Sequence, residues 1–335
     1  MGLRIGILGA GMMGEAHAAA YRKKGAEIVA ITDANQSLAV NLASRYGARM
    51  CATADELFSS DIEAVSICLP HSLHCKYAQM AACRKLHILI EKPLATNLED
   101  AGAIAATVRK ARVRSMVGFT YRFMQVTRQL QQRVAAGEFG RISLIVDYLS
   151  AGGPWPDVPP WYLDRAIAGG GILMIGAVHA VDRMRWLLGC EAVTARCVAR
   201  QTGPGDVENI GGLLLEFESG ACATLSAYRS VLKTHCRRHT LEICGQTAEA
   251  LVDLNSFTRQ TMALTTPVGT EDIQIVDDDP FSAEIEEFVK AIEEDRDPTP
   301  GIEDGVASLA IILAAYESAR SGQPVDIRQF RGDIN

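Results

Sequence analysis

Along the 335 residues the apolar positions change rhythm part-way through the chain. Up to about residue 121, short apolar runs alternate with stretches of helical period. "LRIGIL" reads as a strand, "EAHAAAYRKKG" as a helix closed by Gly25, and "EIVAITD" as a second strand ending on Asp33. "AVSICLP" is a third buried strand, followed by a helical "SLHCKYAQMAACRKL" and another strand, "HILIEKP". "LEDAGAIAATVRKA" is helical again and "RSMVGFTYRF" opens as a strand. Alternation of this length predicts a doubly wound parallel sheet with right-handed crossovers. After about residue 122 it stops. "GRISLIVDYLS", "IGGLLLEFES" and "GACATLSAYRS" then follow one another as strands do in an antiparallel sheet. The chain is long for one core, and the change of rhythm predicts two domains, residues 1–121 and 122–335. Within the second, "GGGILMIGAVHAVD" (169–182) leads three glycines into an apolar helical run with a single histidine, His179.

The first strand runs directly into Gly9-x-Gly11-x-x-Gly14, with Met12 and Met13 inside the same turn. In that spacing Gly9 permits a tight turn, Gly11 lets backbone approach a pyrophosphate, and Gly14 lets the helix pack on the strand. The helix N-terminus offers its free N–H groups to phosphates. Asp33 lies 19 residues beyond Gly14, where an acid bonds the adenosine ribose hydroxyls. Its charge would repel a 2′-phosphate and no arginine follows at once, which favours NAD over NADP. The alternative is an ordinary strand-to-helix turn in a domain that binds something else. Ligands of such sheets sit at the carboxyl ends of the strands. Pro70–His74, Glu91–Lys92–Pro93 and Tyr121–Arg122 all fall there and are expected around one cleft.

Composition removes other classes. The chain is 48% hydrophobic and 22% charged, with a formal charge of −7. No lysine or arginine stripe marks a nucleic-acid surface. No apolar run reaches the roughly 18 residues of a membrane span, and the N-terminus reads as a strand, not a signal peptide. Nine scattered cysteines form no CxxC pair, and most sit beside apolar residues, as reduced thiols in a cytoplasmic protein do. "HCRRH" (235–239) holds two histidines at i, i+4, but it lacks a third ligand and its arginines would repel a cation. No metal is expected.

From Pro70-x-x-x-His74 and Glu91-Lys92-Pro93 onward the sequence resembles the glucose–fructose oxidoreductase/inositol dehydrogenase (Gfo/Idh/MocA) family. The resemblance runs along nearly the whole chain. "VGFTYRF" is similar to that family's domain junction, "GEFGRI" to the turn after it, and 169–189 to its active-site helix. "LEICGQTAEALVD" is similar to a strand pair, and 281–325 to its C-terminal helices. The resemblance implies a Rossmann domain followed by an α/β domain with a large, mostly antiparallel open sheet that often mediates oligomer contacts. It implies Lys92 as the catalytic lysine, a cis bond before Pro93, and His74 beside the nicotinamide ribose. Glu91 would face the cofactor, and His71 stands where many members have asparagine. It also implies His179 as a catalytic histidine; on the residues alone His179 reads either as a satisfied core side chain or, with Asp182 at i+3 to orient its ring, as a group aimed at substrate. In one place the chain departs from the pattern. Many members carry an aspartate four residues before this histidine; here that position is Ile175.

The expected activity is hydride transfer between NAD and a secondary hydroxyl or ketone of a sugar, cyclitol or sugar acid. Lys92 would move the hydroxyl proton with His179 assisting. Tyr121 and Arg122 are candidates for binding nicotinamide or substrate, or for packing at a domain junction. Trp155 and Trp161, in a proline-rich loop, would form either an aromatic wall for a sugar ring or part of an oligomer interface. A homodimer or homotetramer is expected. Ile175 keeps a second reading open, a family member that binds dinucleotide without turnover and acts as a regulator.

Overall fold

The computed structural model of the chain describes residues 2–151, 159–232 and 234–332. They form two compact units, Met1–Thr120 with Phe281–Val306, and Tyr121–Pro280 with Ala307–Asn335.

The first unit is a six-stranded sheet in the order β3-β2-β1-β4-β5-β6. Its strands are β1 (Arg4–Leu8), β2 (Glu27–Thr32), β3 (Arg49–Met50), β4 (Ala64–Ile67), β5 (His87–Ile90) and β6 (Ser115–Val117). Every neighbouring pair is parallel. The helices α1 (Met12–Lys23), α2 (Gln36–Tyr46), α3 (Ala54–Phe58), α4 (His74–Cys83) and α5 (Leu98–Ala111) make the crossovers. All of β4 and nearly all of β5 are buried, as central parallel strands covered on both faces must be. Caps fix the helix starts. Asn35 accepts from Ser37 N–H and Asn97 from Asp100 N–H, and Glu99 and Asp100 answer the positive end of α5. "AVSICLP" is therefore the fourth strand. The two residues of β3 are too few to leave a period in the sequence. The strand order reverses between β1 and β4, so the glycine turn after β1 lies at the switch point where such sheets bind ligands.

The second unit is built on a nine-stranded sheet in the order β14-β13-β12-β11-β7-β10-β9-β8-β15. Its strands are β7 (Ile142–Ala151), β8 (Ala192–Arg200), β9 (Ile210–Phe217), β10 (Cys222–Arg229), β11 (Arg238–Gly245), β12 (Glu249–Asp253), β13 (Arg259–Thr266), β14 (Gly269–Val276) and β15 (Val325–Asp326). The helices are α6 (Gln125–Ala135), α7 (Arg165–Ala168), α8 (Val178–Leu188), α9 (Pro280–Glu293), α10 (Ile302–Ser321) and α11 (Ile327–Arg331). Most of α9 belongs to the first unit, and α10 runs from the first into the second. The sheet is antiparallel except at its centre, where β7 and β10 run parallel. Strict alternation of burial, clearest in β9, leaves one face inward and one outward. The outward face carries Val198, Leu214 and Leu251 in the open. All nine cysteines are free, but only Cys51, Cys75 and Cys197 are buried, and Cys222 is exposed on β10.

By length and mean hydropathy, Arg165–Leu188 would be able to cross a membrane, contrary to the expectation from apolar runs, yet 72% of its apolar window is buried inside the protein. It is the core helix of the second unit. It is tied to the sheet by a buried ion pair between Arg183 and Asp147 of β7, both with fully buried side chains. The same Arg183 Nη2 donates to His239 Nε2 of β11 at 3.0 Å, which requires a neutral imidazole. Burial lowers the His239 pKa and outweighs the Asp147 charge. Burial works against the Asp147 carboxylate too, but the guanidinium still holds its pKa below the usual range.

Arg183 Nε and Nη1 make no hydrogen bond among the described residues, so the pair carries a desolvation penalty that its geometry only partly offsets. Asp147→Ala should lower stability by about 3–5 kcal/mol, because a buried guanidinium loses its counter-charge. The double variant Asp147→Leu/Arg183→Met should recover most of that loss. Urea denaturation of the three proteins, followed by circular dichroism, checks the order.

Candidate active site

In the first unit the glycine turn has the shape its spacing predicts. Gly9 takes φ +101, and a Cβ there would lie 2.2 Å from the Cys68 carbonyl oxygen. A Cβ on Gly14 would lie 1.9 Å from the oxygen of Gly9, so α1 packs directly on the turn. Gly11 is different. A Cβ there would meet nothing within 4 Å, and α1 begins at this residue with no side-chain cap on its first-turn N–H groups. No contact among the described residues requires a glycine at 11; a phosphate lying against the backbone would. Met12 is exposed and Met13 half-buried beside it. Asp33, at the end of β2, accepts from Ala10 N–H and Asn35 N–H, both at 2.7 Å, and so stands over the turn.

The strand ends beyond β4 and β5 carry the next group. His74, at the start of α4, reaches the carbonyls of Pro93 (2.9 Å) and Leu69 (3.0 Å) and ties the two strand ends together. Burial lowers its pKa, although both carbonyls work the other way. His71 packs edge-on against it, with ring centroids 5.8 Å apart, and Pro70 is half-buried ahead of it. Lys92 is half-buried just past β5, and the Lys92–Pro93 bond is cis. Its backbone N–H donates to Glu91 Oε2 at 3.2 Å. Glu91 Oε1 in turn accepts from His17 Nε2 at 3.1 Å, and His17 Nδ1 lies 3.2 Å from Ser66 Oγ. Burial disfavours a charge on His17, but the Cys68 sulfur and the Glu91 carboxylate overcome it and raise its pKa well above normal. Glu91 stays below its usual value against the same penalty. Lys92 therefore follows a buried carboxylate that is held by His17.

In the second unit the three glycines before His179 have a mechanical cause. Gly169 ends α7 at φ +81. A Cβ on Gly170 would lie 2.0 Å from the Tyr316 hydroxyl, and one on Gly171 would lie 1.7 Å from the Glu208 carbonyl oxygen. The buried Glu208 carboxylate closes the same point. It accepts from Gly171 N–H (2.8 Å), Leu173 N–H (3.0 Å) and the Tyr316 hydroxyl (2.8 Å). An anion thus sits at the start of the helix, where backbone donors lack partners. One π-turn, Leu173–Ala177, follows before α8 begins, an irregularity common at functional sites. His179 comes next, 8% exposed, with its ring 4.7 Å from that of Tyr121. Ile175 lies within the π-turn and lines a small cavity with Tyr162, Val207, Glu208 and Arg229.

Arg122 and Asp182 meet each other. Asp182 accepts from Arg122 Nε (2.7 Å) and Nη2 (2.6 Å), and from Ser308 Oγ (3.3 Å), all buried. Trp161 stacks on Tyr162 at 4.0 Å. Trp155 lies outside the described residues. The two histidines of "HCRRH" part company, because β11 begins at Arg238 and no helix joins them. His235 bonds Ser150 Oγ, while His239 is buried against Asp147.

Two family models match the chain. One, an oxidoreductase family with an NAD-binding Rossmann fold, covers residues 3–119, and the other, the C-terminal α/β domain of the same family, covers 131–327. The chain belongs to the Gfo/Idh/MocA oxidoreductase family. It is 29% identical to inositol 2-dehydrogenase 3 of Saccharopolyspora erythraea over 98% of its length and 96% of that protein's. It is 28% identical to inositol 2-dehydrogenase of Rhizobium meliloti, covering 98% of this chain and all of the relative. Its fold matches a levoglucosan dehydrogenase solved with NADH and levoglucosan at TM-score 0.88 and 25% identity, covering 98% of this chain and 100% of the other. Membership makes the protein an NAD-dependent dehydrogenase of the sugar and inositol type.

Reading the sequence of this Gfo/Idh/MocA member missed three buried polar groups: His17 and Glu284 in the first unit, and Glu208 in the second. A histidine three residues past Gly14, on the second turn of α1, was the available signal for the first. Glu284 had none. It is fully buried in the first unit, where Thr120 Oγ donates to its carboxylate (3.2 Å), and burial together with the Glu91 charge pushes its pKa to about 8.

A carboxyl raised in the folded state binds a proton that the unfolded chain has released. Between the ordinary glutamate range and pH 8, stability should therefore fall as pH rises, by up to about 1.4 kcal/mol per unit. Glu284→Gln should flatten that slope. Thermal melts of both proteins from pH 5 to 8.5 measure it.

Proposed function

We propose that the protein oxidises a secondary hydroxyl of a sugar, cyclitol or sugar acid, or reduces the matching ketone, with Lys92 as the acid/base and His179 assisting. NAD, when bound, supplies the hydride acceptor at its nicotinamide. Gly9, Gly11, Met12, Met13 and Gly14 receive the pyrophosphate, and Asp33 receives the ribose hydroxyls. Pro70, His71, His74 and Glu91 border the nicotinamide end. Lys92 takes the hydroxyl proton in oxidation and returns it in reduction. The Glu91–His17 pair fixes its backbone, so its side chain starts from a defined place. His179 holds the substrate hydroxyl, with Tyr121 against its ring. Asp182 and Arg122 brace α8, and Trp161 offers a sugar-facing ring. The observation that supports the reading is the open backbone at Gly11, in a family member whose sequence carries both Lys92 and His179.

Ile175 supports a second reading, a dinucleotide-binding regulator without turnover. The protein with NAD and a panel of inositols, aldoses and sugar acids decides between them through NADH absorbance. Turnover on any member supports the dehydrogenase; silence across the panel, with NAD binding verified by calorimetry, supports the regulator. Lys92→Met should abolish turnover and leave NAD affinity within about two-fold, and unchanged activity would remove Lys92 from the mechanism.

The exposed face bearing Val198, Leu214 and Leu251 is assigned to a homodimer or homotetramer contact, and the nine free thiols to a cytoplasmic protein. Light scattering after size exclusion should give twice or four times the chain mass, and Leu214→Glu/Leu251→Glu should give the monomer. A monomeric parent protein sinks the assembly.

A further inference from the structure

Around Tyr121 the second unit gathers three rings and two guanidinium groups. The Tyr121 ring lies 4.7 Å from His179, 5.0 Å from His239 and 5.3 Å from Phe257, and the Arg183 guanidinium sits 5.6 Å from its centroid. Arg237 donates to the Tyr121 hydroxyl and lies 5.6 Å from the Phe257 ring centre. The acid of this cluster, Asp147, is already taken by Arg183 and fully buried. Arg237 is exposed and has no carboxylate partner among the described residues.

A second arginine stands at the same end of the sheet. Arg229 closes β10 opposite Ala151 of β7, and Arg238 opens β11 opposite Ser150 of the same strand. Arg229 and the residue after Arg237 thus flank the end of β7 from either side, one strand spacing away each, roughly 10 Å apart. Arg229 lines the cavity that holds Ile175, and burial lowers its pKa, so its charge is held at a desolvation cost. The one carboxylate on that cavity wall, Glu208, is already committed to two backbone N–H groups and Tyr316. An aspartate at 175 would bond the hydroxyls of a neutral sugar and repel an anion. Isoleucine does neither.

We propose that the substrate is a sugar or cyclitol acid, and that Arg237, aided by Arg229, recognises its carboxylate. The inference rests on the dehydrogenase reading and names its substrate class. A guanidinium fork matches a carboxylate in two parallel hydrogen bonds, which a hydroxyl cannot reproduce. The segment "HCRRH" then has a use other than metal binding: His239 supports the Tyr121 ring from below, and Arg237 holds its hydroxyl and faces solvent.

The test is calorimetry on the NADH-bound protein with matched probes, D-gluconate and D-glucuronate against D-glucose and myo-inositol. At least one acid should bind about ten- to a hundred-fold more tightly than its neutral counterpart, and the preference should weaken with salt. Arg237→Gln should bring that ratio towards one, and Arg237→Lys should restore part of it; circular dichroism checks that both variants fold. Equal binding of acids and neutral sugars, binding of neither, or an acid preference untouched in Arg237→Gln overturns the inference. Arginine-dependent binding of an acid that is never oxidised would leave the recognition standing and count against the dehydrogenase reading. Turnover of a neutral sugar without acid preference would do the reverse.

Discussion

Glu91, Asp147, Asp182 and Glu208 are buried carboxylates, and a buried carboxylate persists only where donors or a counter-charge answer it. Each answer here fixes a piece of the proposed catalytic apparatus. His17 answers Glu91, whose other oxygen holds the backbone of Lys92. Arg183 answers Asp147 and locks the helix of His179 to the central strand. Arg122 answers Asp182, the residue before Arg183 and about one turn past His179 on that helix. Glu208 is answered mainly by backbone N–H groups and a tyrosine hydroxyl, and it defines where the helix begins. Apolar packing would hold these elements together as well, but it would not select one register. A helix that slid or turned by one residue would leave Glu208 and Asp147 unpaired at once.

How far the sequence could be read follows from the range of the interactions involved. The glycine turn and the parallel alternation are local, and their spacing shows in the chain. The short β3 left no period, and the parallel pairing of β7 with β10 joins strands about 80 residues apart, which no local pattern reports. The His17–Glu91 and Asp147–Arg183–His239 groups are likewise assembled from distant segments. Glu284 illustrates the limit: on an amphipathic helix it reads as one more solvated acid, and only the fold shows that it is buried with a raised pKa. The histidines of "HCRRH" show the limit from the other side. Their spacing suggested a shared face because i, i+4 implies a helix, and the backbone there is a strand entrance.

The run "GGGILMIGAVHAVD" joins both lessons. Its glycines were legible as places of close approach, but not what approaches: the hydroxyl of Tyr316 and the backbone of Glu208, far along the chain. Its apolar residues pack against the sheet, and its π-turn lies between that anchor and His179. A histidine carried on a helix held this tightly at its start, by Glu208, and along its body, by Asp147, has little freedom left to relax towards a new partner. Losing the acid at position 175 therefore cannot be offset by moving the histidine. Compensation has to come from groups that reach the same end of the sheet from other strands, and the strand ends beside β7 are where the chain places its arginines.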